Sequence, residues 1–259
     1  MRLARLTPEL APWLNLPFPR VEHAGVVEDR AFVGYRLVPG EAMTKFPREQ
    51  WDRLDGDDLA RQLARFFLGL HTFDVRRARA FGFPASHDAF GMREDTWTAG
   101  EAAELYQRDL MAFRGLPDAA RSACSFLQAA LERHLHTLRY DGVTPVLLHG
   151  EVSVDHILLD PTTLALSGVI DLNGAFIGRP ARDFLYLYET LGSTWTASLL
   201  KAYGRLDVAM TLEELHFLSV WHTVQRLLWA RQHGWLARAE QQRRVLETLI
   251  QQRSAQDGA

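Results

Sequence analysis

The chain has 259 residues, 47% of them apolar, a formal charge of −3 and a single cysteine. That length supports one large core, or one core with a smaller lobe appended, and the near-neutral charge argues against nucleic acid as a partner. Cys124 alone excludes an internal disulfide and a cysteine-based zinc site, and no apolar run approaches the ~18 residues of a membrane span, so a cytoplasmic protein is expected.

In chain order, residues 1–19 carry Leu3, Leu6, Leu10, Trp13 and Leu14 on a short amphipathic helix, which Pro17 and Pro19 stop. Two strands follow, over 20–27 and 31–38, around a tight turn at 28–30, and Pro39-Gly40 ends the second. Residues 44–56 read as a polar, irregular connector. From Asp57 the pattern is helical: Leu59, Leu63, Phe66, Phe67 and Leu70 share a face, with Asp57 and Asp58 in the first turn. Residues 74–95, rich in Arg, Gly and Pro, read as a long loop. Helices are expected over 100–113 and, marked by Cys124, Leu127, Leu131, Leu135 and Leu138, through the following segment. Further helices are expected near 181–192, 194–203, 211–233 and 236–253, with a frayed tail over 254–259.

The stretch between these helices, residues 146–178, carries the chemistry. Two short apolar strands, 146–148 and 168–170, each deliver a carboxylate into a turn, Glu151 and Asp171. Between them Ile157-Leu158-Leu159 precedes Asp160-Pro161-Thr162-Thr163, a turn signal, and the whole reads as a buried hairpin ending in acids and a histidine. Acids are seldom carried into a core unless paired or bound to a metal, and a hard divalent cation with a phosphate-bearing substrate is a direct reason to place them there. Phosphoryl transfer needs a cation to neutralise phosphate charge, ligands to hold it, and a group that orients the acceptor hydroxyl. Glu151 suits the last role, and His156 and Asp171 supply a nitrogen and an oxygen donor. The plain alternative makes Glu151 a turn cap, His156 a satisfied core histidine and Asp171 the start of a loop.

HGEVSVDHILLD, followed by SGVIDLNGAFIGRPARDF, resembles the catalytic and metal-binding loops of the aminoglycoside phosphotransferase family, which are protein-kinase-like small-molecule kinases. A histidine at the metal position makes it most similar to the 2″-phosphotransferase branch. FVGYRLVPGEAMT resembles that family's fifth strand and hinge, and DLARQLARFFLGLHTF the first helix of its main lobe. The resemblance implies an α+β, protein-kinase-like fold. Residues 1–43 would be a truncated, β-rich N-lobe with the hinge, and residues 44–259 a mainly helical C-lobe carrying the catalytic β-hairpin. Residue by residue, Glu151 stands at the catalytic-base position and Ser153 at the neighbouring loop serine, which reads equally as an ordinary turn residue. His156 and Asp171 stand at the Mg2+ ligand positions. The backbone of Arg36 and Val38 would meet the nucleotide base, with Ile170 against its face. Asp183 is implied as an acid that braces the loop, but its neighbours Arg182 and Phe184 read as a helix cap, the reading taken here.

The implied function is a nucleotide- and Mg2+-dependent phosphotransferase, using ATP or GTP, that acts on a hydroxyl of a small molecule, an aminoglycoside-like amino sugar among the candidates. No nucleic acid or membrane is involved, and the oligomeric state is left open. Two departures favour a second reading, a degenerate pseudokinase-like binding protein without transfer activity. Glu151 replaces the usual aspartate, and an added methylene moves the carboxylate by about an ångström, a displacement that costs roughly 10²-fold in rate. The family's first strands, phosphate-covering loop and phosphate-pairing lysine do not precede the first helix in this sequence, Arg2 and Leu3 stand where a partner glutamate is expected, and Lys45 falls after the hinge. This reads either as a natural start upstream of Met1 or as a degenerate member. An exposed edge on strand 20–27 follows from this. Glu94, Asp95, Glu101 and Glu104, with Trp97 and Tyr106, either line a cleft for a cationic acceptor or form a solvated helix face. Phe217, Trp221, Val224 and Leu228 read as core.

Overall fold

The structure, a computed structural model, describes residues 2–84, 86–87, 92–93, 99–137 and 143–257. The chain forms two compact units, Met1–Thr96 with Thr144–Leu212, and Trp97–Val143 with Glu213–Ala259.

In the first unit, α1 (Arg2–Leu10) buries Leu6 and Leu10, and its Thr7 hydroxyl accepts the N–H of Val21 at 3.0 Å. That bond joins the helix to β1 (Val21–Val27), which pairs antiparallel with β2 (Arg30–Tyr35). Glu28 and Asp29 make the turn with φ of 48° and 63°, the doubly left-handed form whose twist matches a hairpin. β2 ends at Tyr35, earlier than the expected 38, and the chain then packs Val38 against Gly168 and bonds Pro39 to Ser167. Val26, Val27, Phe32 and Tyr35 are exposed on this ribbon.

After β3 (Glu41–Ala42), the expected irregular connector is partly ordered by α2 (Arg48–Trp51) and a 3-10 turn over Met43–Lys45. The Trp51 indole ties the two together, donating to the carbonyls of Met43 at 3.1 Å and Phe46 at 3.2 Å. α3 (Gly56–His71) starts at Asp55, whose carboxylate accepts the Asp58 N–H, and buries Leu59, Leu63, Phe66, Phe67 and Leu70 as expected. The expected loop over 74–95 instead holds α4 (Val75–Ala80), capped by Asp74, and a small hairpin of β4 (Ser86–His87) and β5 (Met92–Arg93). α4 buries only Ala78, too little apolar repetition to signal a helix from sequence.

The chain passes into the second unit with α5 (Ala99–Arg114) and α6 (Arg121–Thr137) and returns at β6 (Val146–Leu148). β7 (Ile157–Leu159) and β8 (Leu166–Val169) follow, then β9 (Phe176–Gly178). The expected pairing of 146–148 with 168–170 does not occur. β8 pairs with β7, β6 pairs with β9, and β3 adds to β7 to give the order β3-β7-β8. The reason is local: the Asp160 carboxylate accepts the N–H groups of Thr162 and Thr163, closing a tight turn that delivers β8 straight back onto β7.

A buried 3-10 turn, Pro180–Phe184, leads into α7 (Leu185–Tyr203), which is broken at Gly192 (φ 83°), where two separate helices were expected. α8 (Val208–Gln232) and α9 (Leu236–Asp257) complete the chain, the latter running past the expected frayed point at 254. In the second unit Tyr106 lies 5.1 Å, edge-on, from both Phe217 and Trp221, and the buried Asp109 accepts from Trp221 and Gln225. Phe217, Trp221 and Val224 are therefore core, as expected, and Tyr106 belongs with them rather than to an acceptor wall. Glu104 is exposed, while Glu94, Asp95, Trp97, Leu138 and the side chain of Glu101 lie outside the described residues. Among the described residues, no helix is long and apolar enough to cross a membrane.

Candidate active site

Two turns at the ends of β6 and β8 form the site. β6 runs into His149-Gly150-Glu151, and Gly150 has φ 88°, a left-handed conformation that favours glycine. A Cβ at Gly150 would also stand 2.5 Å from the carbonyl oxygen of Gly174, so the two turns touch backbone to backbone. Buried Val152 and Val154 anchor the first turn at alternate positions, which leaves Glu151 exposed and Ser153 half-buried. The Ser153 carbonyl accepts the His156 N–H at 3.0 Å, and Asp155 accepts the Thr44 hydroxyl at 2.8 Å. In the second turn Asp171 has φ 70° and accepts the N–H of Asn173 at 3.3 Å, capping a 3-10 turn over Leu172–Gly174. Aspartate tolerates this strained conformation better than most residues, and such positions cluster at functional sites.

His156 Nδ1 lies 2.5 Å from the Glu151 carbonyl oxygen. That oxygen can only accept, so Nδ1 carries a proton, and Nε2 is the ring atom that faces Asp171. Nε2 stands 3.7 Å from Asp171 Oδ2, too far for a hydrogen bond and suited to two donors facing one cation. Among the described residues no group of three or more His, Cys, Asp or Glu is gathered for a metal ion. A pair of protein donors, with phosphate oxygens and water completing the shell, is how Mg2+ is ordinarily held, although imidazole is a less usual ligand for it than oxygen. The residues present fit the ion on those terms. Glu151 reaches over the second turn: a Cβ at Gly174 would be 3.7 Å from its Oε2.

Asp183 braces the first turn. It is 1% exposed, and it accepts the N–H of His149 at 2.9 Å, the N–H of Gly150 at 2.7 Å and Nε2–H of His71 at 2.9 Å. The helix-cap reading is thereby corrected: both carboxylate oxygens are spent on a distant loop rather than on the N–H groups of its own turn. His149 Nε2 donates to the Ile170 carbonyl at 3.0 Å, and the Ile170 N–H donates to the His156 carbonyl at 2.9 Å, which cross-links the two turns again. His149 Nδ1 is buried without a hydrogen-bond partner. Burial holds the His149 imidazole below its ordinary value, against the opposing pull of the Asp183 carboxylate. His71 continues to Tyr203, its Nδ1 being 2.8 Å from the phenol oxygen. Neither His71 nor Tyr203 was singled out from sequence; a histidine on the apolar end of α3 was the one signal available.

Residues 38 and 39 meet the sheet that carries β8. Val38 is buried against Gly168, where a Cβ would stand 2.5 Å from Val38 Cγ1. The Pro39 carbonyl accepts the Ser167 hydroxyl at 2.8 Å. Val38 is thus brought beside the strand that leads to Ile170. The Arg36 side chain instead points to an ion pair with Glu22 at 2.8 Å, and Lys45 is exposed.

A β-ribbon, a hinge and a helical body that presents two carboxylate-bearing turns define a protein-kinase-like fold. The chain belongs to the phosphotransferase enzyme family, whose model matches residues 2–218. Among solved structures, the GDP complex of wild-type aminoglycoside 2'-phosphotransferase-IIIa is 24% identical, over 97% of this chain and 81% of that one, with a TM-score of 0.80. The gentamicin complex of APH(2")-IIa is 20% identical over 97% and 79%, with a TM-score of 0.66. Macrolide 2'-phosphotransferase MphH from Brachybacterium faecium, as apoenzyme, is 21% identical over 93% and 76%, with a TM-score of 0.65. At these identities the likeness is one of fold. Among curated proteins none matches the sequence.

Proposed function

We propose that the protein transfers the γ-phosphoryl group of ATP or GTP to a hydroxyl of a small molecule, with an aminoglycoside-like amino sugar as the first acceptor class to test. The observation that carries this reading is the facing pair His156 and Asp171, held 3.7 Å apart beside Glu151 on two mutually braced turns. His156 and Asp171 would hold Mg2+, which supplies charge neutralisation for the transferring phosphoryl group. Glu151 orients the acceptor hydroxyl and takes its proton as the acceptor oxygen bonds to phosphorus and the bond to the β-phosphate oxygen breaks. Ser153 flanks that carboxylate. The backbone of Arg36 and Val38 meets the nucleotide base and Ile170 packs on its face, so that residues 1–43 act as the nucleotide-side lobe and residues 44–259 as the body. A nucleoside triphosphate donor and a lone cysteine suit a cytoplasmic setting.

Thermal unfolding with and without Mg2+·ATP and Mg2+·GTP tests the reading. A nucleotide that binds only the folded state adds about 2.7 kcal/mol at 100 times its dissociation constant, a readily measured shift. Asp171→Ala should keep the fold and lose transfer; wild-type transfer by that variant would overturn the assignment. Glu151 motivates the second reading, a degenerate binder, which predicts a weak or absent nucleotide shift and no turnover. Glu151→Asp separates the two. If the extra methylene merely handicaps an enzyme, this change raises the rate by up to about 10²-fold; in a degenerate binder it raises nothing.

A further inference from the structure

Tyr203 ends α7 and touches neither turn, yet buried groups alone join its hydroxyl to both. The phenol oxygen is 2.8 Å from His71 Nδ1, and His71 Nε2 is 2.9 Å from Asp183 Oδ2. Both the His71 and Asp183 side chains are 0% exposed. A carboxylate only accepts, so His71 Nε2 carries a proton, and the phenol is the hydrogen-bond partner of the ring's other nitrogen, Nδ1. Burial pushes the Tyr203 hydroxyl up to about 12, so it remains a donor at physiological pH.

Beyond Asp183 the chain of bonds divides. Asp183 holds the N–H groups of His149 and Gly150, immediately before Glu151, in a turn that Gly150 enters with φ 88°. The His149 ring in turn holds the Ile170 carbonyl, in the peptide that leads to Asp171. The two ends of the network are therefore the peptides next to the two carboxylates of the site.

The geometry points to Tyr203 as a positioning residue: acting through His71 and Asp183, its hydroxyl fixes the orientation of the His149–Gly150–Glu151 turn and, through His149, that of Asp171. This rests on the phosphotransfer reading of the site. The rings themselves are held by packing, since His71 lies 5.8 Å from Phe67 and 5.5 Å from Tyr203, and Phe184 lies 5.2 Å from Tyr203, between centroids. Tyr203→Phe keeps that packing and removes only the donor. His71 then keeps its Nε2–H on Asp183 but loses the second hydrogen bond that fixes the ring, so the third donor to Asp183 is less firmly aimed.

The test compares the full-length wild type with Tyr203→Phe, His71→Gln and the double variant. Glutamine keeps a donor for Asp183 but does not reach Tyr203. Tyr203→Phe should lower kcat about tenfold, the scale of a sub-ångström misplacement, with nucleotide KM unchanged and melting lowered only by the loss of one buried hydrogen bond. The same variant should exchange its His149 and Gly150 amide hydrogens faster, with α3 and α7 unaffected. In the His71→Gln background the Tyr203→Phe change should add nothing, because the two act in series. The inference is overturned if kcat and amide exchange are both unchanged. It is equally overturned if melting falls with kcat intact, or if Tyr203→Phe costs as much in the His71→Gln background. Should the wild type transfer no phosphate at all, the phosphotransfer reading fails separately. Amide exchange then decides alone: unchanged protection at His149 and Gly150 overturns the role of Tyr203, and selective loss upholds it.

Discussion

His149 sits between two backbones and faces no water, so its charge state is set by burial. The native ring gains a proton at lower pH than the unfolded chain, whose histidine titrates near the ordinary 6.5. Between those two values the unfolded state binds more protons. The contribution to stability is therefore complete above about pH 6.5 and is lost as pH falls towards the native value, by up to about 1.4 kcal/mol per pH unit. Urea unfolding between about pH 5 and pH 8 should show a shallower acid slope for His149→Gln than for wild type; parallel slopes would refute this. Asp183 gives a second expectation. Asp183→Ala leaves two backbone N–H groups and a buried imidazole without their acceptor, and stability should fall by about 3–5 kcal/mol. A loss under about 1 kcal/mol would mean that water replaces the carboxylate. At this scale the sequence was informative where partners are close along the chain. Glu151, His156 and Asp171 fall within one short stretch, and their spacing was readable. Asp183 was misread and Tyr203 passed over because their partner His71 lies 112 and 132 residues away, beyond any local pattern.

α3 was legible as an element because a 3.6-residue period repeats along it, in Leu59, Leu63, Phe66, Phe67 and Leu70, whereas α8 and α9 carry almost no one-sided period. Among the small strands β6 and β8 were read but their partners were not, because three or four apolar residues carry no period of their own. β9 is the clearest case: Phe176-Ile177-Gly178 gave no signal, yet it is the true partner of β6. The hinge tests how closely these pieces fit. A methyl group at Gly168 would stand 2.5 Å from Val38 and 2.9 Å from the Pro17 carbonyl, one neighbour a core side chain and the other backbone. Gly168→Ala should cost about 1–3 kcal/mol by overpacking and weaken nucleotide binding, since β8 would be pushed from the hinge. Unchanged melting and an unchanged nucleotide shift would show that the hinge yields freely.

For the whole molecule, the division into two units bears on where ligands are felt. Every residue assigned here to nucleotide and metal lies in the unit formed by Met1–Thr96 and Thr144–Leu212. Mg2+·nucleotide should therefore slow amide exchange over residues 36–42, 149–156 and 168–174 and leave α9 as it was. Protection confined to the second unit would displace the site. This discontinuity was invisible in composition, because the segment 97–143 is about as apolar as the rest of the chain.

The same discontinuity sets a timetable for synthesis. α3 leaves the ribosome early, with Phe66 and Phe67 on the face that later becomes core. His71, at its end, waits for Tyr203, 132 residues further on. At about 5–20 residues per second that interval is roughly 7–26 s, during which an aromatic surface stands open to chaperones and to neighbouring nascent chains. Chains stalled near residue 150 should be cut readily by protease within α3, and chains stalled well past residue 212 should resist.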